Sequence, residues 1–350
     1  MDALGERLLS TLNSGALALL LSLGHRSGLF DTMATLPPST SEEIARAAGL
    51  NERYVREWLA GVLTGKIVEH NPADNTWWLP PEHAALMTRA ASPNNIAAFM
   101  QYIGLLGTVE DKILQCFKRG GGVPYSEFDR FHEVMAEDSG QTIVGALFDH
   151  VIPLVPGLHE KLDEGVDVLD LGCGRGIALR MMATRYPKSR FLGLDFSAEA
   201  IAWAKDQAAR DALANLRYDV ADAATIAFEN AFDVIFTFDA IHDQRRPDHV
   251  LANIARALRP EGIYLMQDIR ASSLPHENVA HPVGTLLYTV STMHCMTVSL
   301  AYGGLGLGTM WGRQRAEKML HDAGFESVEV KQLAHDFQND YYIVRHHAGN

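Results

Sequence analysis

Apolar positions recur at helical spacing from Asp2 to Leu23, and the run continues to Gly28-Leu-Phe30. Thr40 or Ser41 then caps a helix, with Glu43 or Glu42 near its third position and Ile44, Ala45, Ala48 and Leu50 as its buried face. Gly49 ends it. A second helix runs from about Asn51 to Thr64, burying Tyr54, Val55, Trp58, Leu59 and Val62, and Gly65 stops it. Ile67 to His70 pairs with Trp77 to Leu79 across the turn residues Pro72 to Asn75. Helix, turn, helix, hairpin is the order of a winged helix, so residues 1–90 are expected to form an N-terminal all-helical, winged-helix domain.

Helical pattern continues from Asn94 to Phe117 until Lys118 to Pro124, with three consecutive glycines, predicts a linker or flexible lid. A further helix from about Gln141 to Leu162 completes a helical linker and lid over residues 91–163. From Val166 onward short apolar strands alternate with helices: Val166 to Leu171, Phe191 to Asp195, Leu216 to Val220, Val234 to Phe238 and Gly262 to Asp268. That alternation predicts an α/β domain over 164–350, with a parallel sheet covered on both faces. Two late strands, near Ser327 to Leu333 and Tyr341 to Arg345, lack an intervening helix and should pair antiparallel at one edge. Between them and the fifth strand, Asn278 to Gly312 runs thirty-five residues without Asp, Glu, Lys or Arg. Pro282, six glycines and many Ser, Thr and His break it, so it reads as a buried segment beside a ligand pocket rather than a membrane span.

Composition narrows the function. With 47% apolar and 21% charged residues the chain buries an ordinary core. Its formal charge of −13 repels a polyanion, and Arg53 and Arg56 on the second helix are balanced by Glu52 and Glu57. Nucleic acid is therefore not expected as a partner, and that helix reads as scaffold or dimer surface. Cys116, Cys173 and Cys295 lie far apart, which argues against a disulfide framework or a thiolate zinc site and for a cytoplasmic protein. The apolar run Gly15 to Gly24 follows Asp2 and Glu6 rather than a basic region, and no small-residue cleavage site follows, so neither a signal peptide nor a membrane is expected.

The chemistry begins at Val168-Leu-Asp170-Leu-Gly172-Cys173-Gly174-Arg-Gly176, where a strand ends in an acid and a glycine loop leads into a helix. Glycines there let the backbone turn tightly and approach a ligand, and the helix start offers free amides. The third glycine comes two residues after the second, where a dinucleotide fingerprint needs three. Asp195, at the next strand tip, can accept both hydroxyls of a ribose. Asp222-Ala223 follows the third strand and is placed to accept an adenine amino group.

These residues, with Phe232 to Phe238 and Leu258 to Gly262, resemble the class I S-adenosylmethionine-dependent methyltransferases from about Glu164 onward. The resemblance implies a seven-stranded Rossmann-like sheet whose last two strands form an antiparallel pair. It implies S-adenosylmethionine as cofactor and S-adenosylhomocysteine as product, held by Asp170, Gly172, Cys173, Gly174, Gly176, Asp195, Phe196, Asp222, Ala223 and Phe238. Glu261 departs from the second glycine of many members. Past the fourth strand, His242-Asp243 matches the His-Asp pair of small-molecule O-methyltransferases, which also carry a winged-helix domain and commonly form homodimers. In that group the histidine takes the hydroxyl proton as oxygen attacks the methyl group, a task suited to an imidazole. Gln244 departs from their usual aromatic residue, and Asp243 can instead cap the next helix.

Three readings of His242 stay open: general base, substrate-positioning or metal-ligating group, and structural histidine. Tyr125 and Phe128 of the lid, with His294 and Trp311 of the uncharged segment, are candidates to line the acceptor pocket, and Met293, Met296 and Met310 fit an apolar wall. His242, His294 and His335 arrive near one face and are candidates to hold a divalent metal. The expected activity is methyl transfer to a small-molecule hydroxyl. The alternatives are a small thiol, imidazole or amine acceptor, or a winged-helix regulator with a ligand-sensing methyltransferase-like domain.

Overall fold

Helix α1 spans Ala3–Ser27 and starts where the Asp2 carboxylate accepts a hydrogen bond from the Gly5 amide (2.8 Å). Gly28, in the left-handed region at φ 74°, ends it and starts α2 (Leu29–Thr35). Thr40 and Glu43 form the expected capping box at α3 (Ser41–Ala48), and Asn51 caps α4 (Glu52–Thr64). α4 packs on α1 through Trp58, whose indole donates to the Leu20 carbonyl (2.8 Å). Gly61 and Gly65 leave room for Leu20 and Leu17, which a Cβ at either position would meet at 2.6 and 2.5 Å. Val55, Trp58, Leu59 and Val62 are buried as expected, but Tyr54 is 80% exposed. The buried face follows i, i+3, i+4, i+7 from Val55, and Tyr54 falls one position outside it. Strands β1 (Glu69–Asn71) and β2 (Thr76–Trp78) complete the hairpin.

The computed structural model describes residues 2–347. The chain divides into two compact units, 1–108 with 133–145 and 109–132 with 146–350. The second unit holds a seven-stranded sheet of β3 (Asp167–Leu171), β4 (Arg190–Asp195), β5 (Leu216–Val220), β6 (Phe232–Phe238), β7 (Leu258–Ile269), β8 (Ser327–Lys331) and β9 (Asn339–Arg345). Their order is β5-β4-β3-β6-β7-β9-β8, with β9 antiparallel to both β7 and β8. Five parallel strands reverse order between β3 and β6, so their carboxyl ends open one crevice, where ligands bind in open α/β sheets. Leu169, Ile235 and Met266 face one core, with Val168, Val234 and Leu265 facing the other.

Two helical expectations are corrected. The span Asn94 to Phe117 is two helices, Gln101–Gly107 and Glu110–Arg119, because the chain bends at Thr108 and Val109. The span Gln141 to Leu162 is short irregular helical turns up to Leu154 and then the helix Leu158–Glu164, since Pro153 and Pro156 cannot donate within a continuous helix. A helix that sequence pattern did not isolate, Phe131–Thr142, precedes them. The uncharged segment forms helices Gly284–Val290 and Met296–Ala301 around a π-helical turn, Ser291–Cys295.

Candidate active site

The loop after β3 is tied down by its own backbone, with the Gly172 and Cys173 amides donating to the Leu194 carbonyl (2.8 and 3.1 Å). Two of its glycines are crowded by protein. A Cβ on Gly172 would lie 2.4 Å from the Ala240 Cβ, and one on Gly176 would lie 2.4 Å from the Tyr218 ring. Gly174, at φ 53°, has nothing within 4 Å of the Cβ position, so it is the point at which a ligand can approach the backbone.

Parallel register brings the three acids to one sheet edge: Asp170 opposes Gly193 near the end of β4, and the Ala221 amide donates to the Asp195 carbonyl (2.9 Å). The Asp195 carboxylate accepts from the Gly174 amide (2.9 Å) and the Ser197 amide (2.8 Å), which orients it across the loop. Burial raises its pKa against the pull of those amides. Asp170 is 2% exposed and its Oδ1 has no hydrogen-bond partner, while burial and then Asp195 push its pKa up to about 7. Asp222 is exposed, accepts from the Ala224 amide (2.9 Å), and lies 3.6 Å from the Arg245 guanidinium. Phe196 is half exposed beside Asp195, Ala223 is buried, and Phe238 stacks on Phe236 at 5.6 Å. Burial, with Asp170 and Asp195 nearby, raises the Cys173 thiol far above its usual range, so it is a neutral wall.

An orphaned buried carboxyl oxygen, an open glycine and an amide-oriented carboxylate fit a group that brings hydroxyl and amino donors, as the cofactor S-adenosylmethionine does.

His242 lies beyond the tip of β6, 4% exposed. Its Nδ1 is 2.8 Å from Oδ1 of Asp268, near the end of β7. The Ile269 amide (2.8 Å) and the Trp311 indole (3.1 Å) donate to the same oxygen, while Asp268 Oδ2 has no partner. Burial opposes the charge on His242, but Asp268 and then Cys295 outweigh it and hold the imidazole pKa well above its ordinary value. The carboxylate that orients the ring is thus Asp268 rather than the adjacent Asp243. Asp243 acts on the imidazole only at a distance, and burial pushes its own carboxyl up to about 6. Asp268 belongs to no motif. Its sequence signal is a polar pair, Gln267-Asp268, in a strand otherwise apolar from Ile263 to Ile269 and buried throughout.

The lid candidates meet the uncharged segment. The Val123 amide donates to Thr297 Oγ1 (2.8 Å), and a Cβ on Gly122 would strike the Thr297 carbonyl at 1.9 Å, so only glycine passes that helix so closely. Tyr125 touches the Phe196 ring (5.4 Å), His132 (4.9 Å) and His294 (5.1 Å), and Phe128 lies 4.6 Å from His294. Burial, with Asp243 and Asp195 nearby, raises the Tyr125 hydroxyl pKa well above its usual value. Phe131 stacks flat on His294 at 3.5 Å. Burial, His242 and His132 together hold His294 well below its usual pKa, and its Nε2 has no partner.

Trp311 is a buried donor to Asp268. Of the three metal candidates, His335 packs on His150 (4.9 Å) instead. Among the described residues, the potential ligand group at this site is Asp239, His242 and Asp268, whose donor atoms lie within 4.8 Å of one another.

Residues 162–333 match the family described as a methyltransferase domain, and residues 15–89 match the Rv2258c-like winged HTH domain. The chain carries a methyltransferase domain behind a winged helix-turn-helix domain. A trans-aconitate 2-methyltransferase of Azoarcus sp. (strain BH72) is 35% identical over 108 residues, 30% of this chain and 40% of that protein. Phosphoethanolamine N-methyltransferase 1 of Triticum aestivum is 32% identical over 186 residues, 51% of this chain and 32% of that protein. The chain thus spans 40% or less of the length of these two curated relatives. Human N-acetylserotonin methyltransferase in complex with S-adenosylmethionine has the same fold, with TM-score 0.71 at 16% identity over 99% of this chain and 98% of that one. In the methyltransferase domain, then, the glycine loop with its three acids and the His242–Asp268 pair lie at the carboxyl ends of the parallel strands.

Proposed function

We propose that the protein transfers a methyl group from S-adenosylmethionine to the hydroxyl of a small-molecule acceptor, with His242 as general base. The observation that carries this reading is the buried His242 imidazole held through Nδ1 by Asp268 (2.8 Å), beside the acids of the glycine loop. Asp195 would hold the ribose hydroxyls, Asp222 the adenine side, and Asp170 the amino end. When bound, the cofactor supplies an electrophilic methyl on a sulfonium.

The chain's own residues do the rest. His242 accepts the acceptor's hydroxyl proton, and Asp268 fixes the ring and stabilises the imidazolium that forms. Tyr125, Phe128 and Phe131 exclude water from that step, which strengthens the pair electrostatically. The O-methyltransferase reading also agrees with the fold shared with human N-acetylserotonin methyltransferase.

His242→Ala should lower turnover of hydroxyl acceptors by about 10²–10⁴-fold and leave S-adenosylhomocysteine affinity unchanged. A screen of phenols, thiols and imidazoles, read by mass spectrometry, supplies the acceptor. An unchanged rate in the variant removes His242 as base. Strict thiol or imidazole methylation replaces the hydroxyl assignment.

The protein also reads as a homodimer. Leu4, Leu8, Leu12, Leu19 and Leu23 of α1 are each 46–69% exposed, an apolar row that a second α1 would cover. Sedimentation equilibrium giving only the monomer mass would exclude this.

A further inference from the structure

The carboxylate that holds His242 has one oxygen in use and one idle. Asp268 Oδ1 lies 2.8 Å from His242 Nδ1 and accepts from the Ile269 amide (2.8 Å) and the Trp311 indole (3.1 Å). Oδ2 of the same side chain is buried without a partner. Its neighbour in the strand, the buried Gln267, donates from Nε2 to Asp239 Oδ1 (3.0 Å), and its Oε1 too is unpartnered. Buried oxygens are ordinarily satisfied, so two idle ones in adjacent residues call for a donor or a cation. The same residues bring ligands together: donor atoms of Asp239, His242 and Asp268 lie within 4.8 Å of one another. Four bonds of about 2.0–2.2 Å in a tetrahedron set ligand atoms roughly 3.4 Å apart, so movements of about 1 Å close the group on an ion.

From this we infer that Asp239, His242 and Asp268 form a binding site for one divalent cation of the zinc class, and that the ion, once bound, takes His242 out of use as a base. One neutral imidazole and two carboxylates match a borderline ion such as Zn²⁺ in ligand type and balance its charge. The Ile269 amide and Trp311 indole already fix Asp268 from outside, as the hydrogen bonds around a ligating carboxylate do. A half-turn of the Gln267 amide puts its idle Oε1 in place of Nε2 beside Asp239, where a cation is the partner it lacks. Asp239, alone of the three in not being fully buried, gives the ion its way in. Coordination runs through Nδ1. The ion replaces the hydrogen there, that proton passes through solvent to Nε2, and the neutral ring then has no lone pair to offer an acceptor hydroxyl. This consequence rests on His242 being the base of the proposed reaction; the site itself does not.

The test adds Zn²⁺ alone to the metal-free full chain, with no cofactor or acceptor, and reads affinity by calorimetry and the place of binding by histidine ¹⁵N NMR. Zinc should move the His242 Nδ1 resonance. Asp239→Asn, which suits the left-handed turn at that position, should weaken binding about tenfold or more. Glu326→Gln, at an exposed pair with His347, should change neither reading. No movement of His242 Nδ1 at saturation, or equal zinc affinity in wild type and Asp239→Asn, overturns the site and leaves the base reading intact. With an acceptor in hand, zinc should abolish turnover and chelation restore it. Turnover that persists with Nδ1 loaded removes His242 as base, while the NMR result still supports the site.

Discussion

Replacing Asp268 by Asn keeps the shape of the side chain and removes its charge. The Ile269 amide and Trp311 indole still have an oxygen to donate to, so the side chain should stay in place. What changes is the proton affinity of His242. Asp268 and Cys295 raise it, burial lowers it, Asp239 and Asp243 are the other acids at the site, and His294 stays neutral. A hydrogen bond to a charged group contributes about 1.5–3 kcal/mol, and at about 1.4 kcal/mol per pKa unit the imidazole should fall by roughly one to two units.

With His242 as the proposed base, turnover needs it neutral, so in the wild type it should rise as pH climbs through a value above the ordinary 6.5 or so, and in Asp268→Asn that limb should move to lower pH. The plateau should drop roughly 10- to 100-fold, because the imidazolium formed with the product loses the same stabilisation. Folding gives a second sign. A raised folded value stabilises fully below the unfolded value near ~6.5 and is lost as pH rises through the folded one. The gap in urea midpoint between wild type and variant should therefore be widest in mild acid. Histidine ¹⁵N NMR titration reads the shift without any acceptor. A His242 titration midpoint equal in the two proteins would refute the pairing.

With Asp195 as the proposed ribose acid, Asp195→Ala should weaken S-adenosylhomocysteine by about 100-fold or more by calorimetry, since two hydroxyl bonds to one carboxylate would be lost together. Retained wild-type affinity would dismiss Asp195 as the ribose acid. Gly122→Ala forces a Cβ onto the Thr297 carbonyl and the Ala301 amide, at 1.9 and 2.4 Å, and should cost about 1–3 kcal/mol in urea unfolding. An unchanged midpoint would mean that the lid does not lie against that helix.

The three acids and the glycine loop were legible because parallel strands advance in step: each strand's last residues reach the same edge whatever the helices between them do, so position along the strand is enough. The same logic fails for Asp268. Its contact with His242 joins a residue near the end of β7 to one past the tip of neighbouring β6, and depends on how the chain turns after Phe238, where Asp239 sits at φ 50°. Periodicity says nothing of such a turn, and the pair Gln267-Asp268 marks only that something polar is buried there. Nor could the helical run through Ser291–Cys295 disclose a π-turn, because one extra residue per turn leaves the apolar pattern intact while rotating His294 and Cys295 by about 100° relative to the helix Met296–Ala301. The features hidden from the sequence are therefore of one kind. The backbone irregularities at Asp239 and Ser291–Cys295, rather than the regular strands, set how His242 meets Asp268 and how His294 comes to lie beside Cys295 and flat on Phe131.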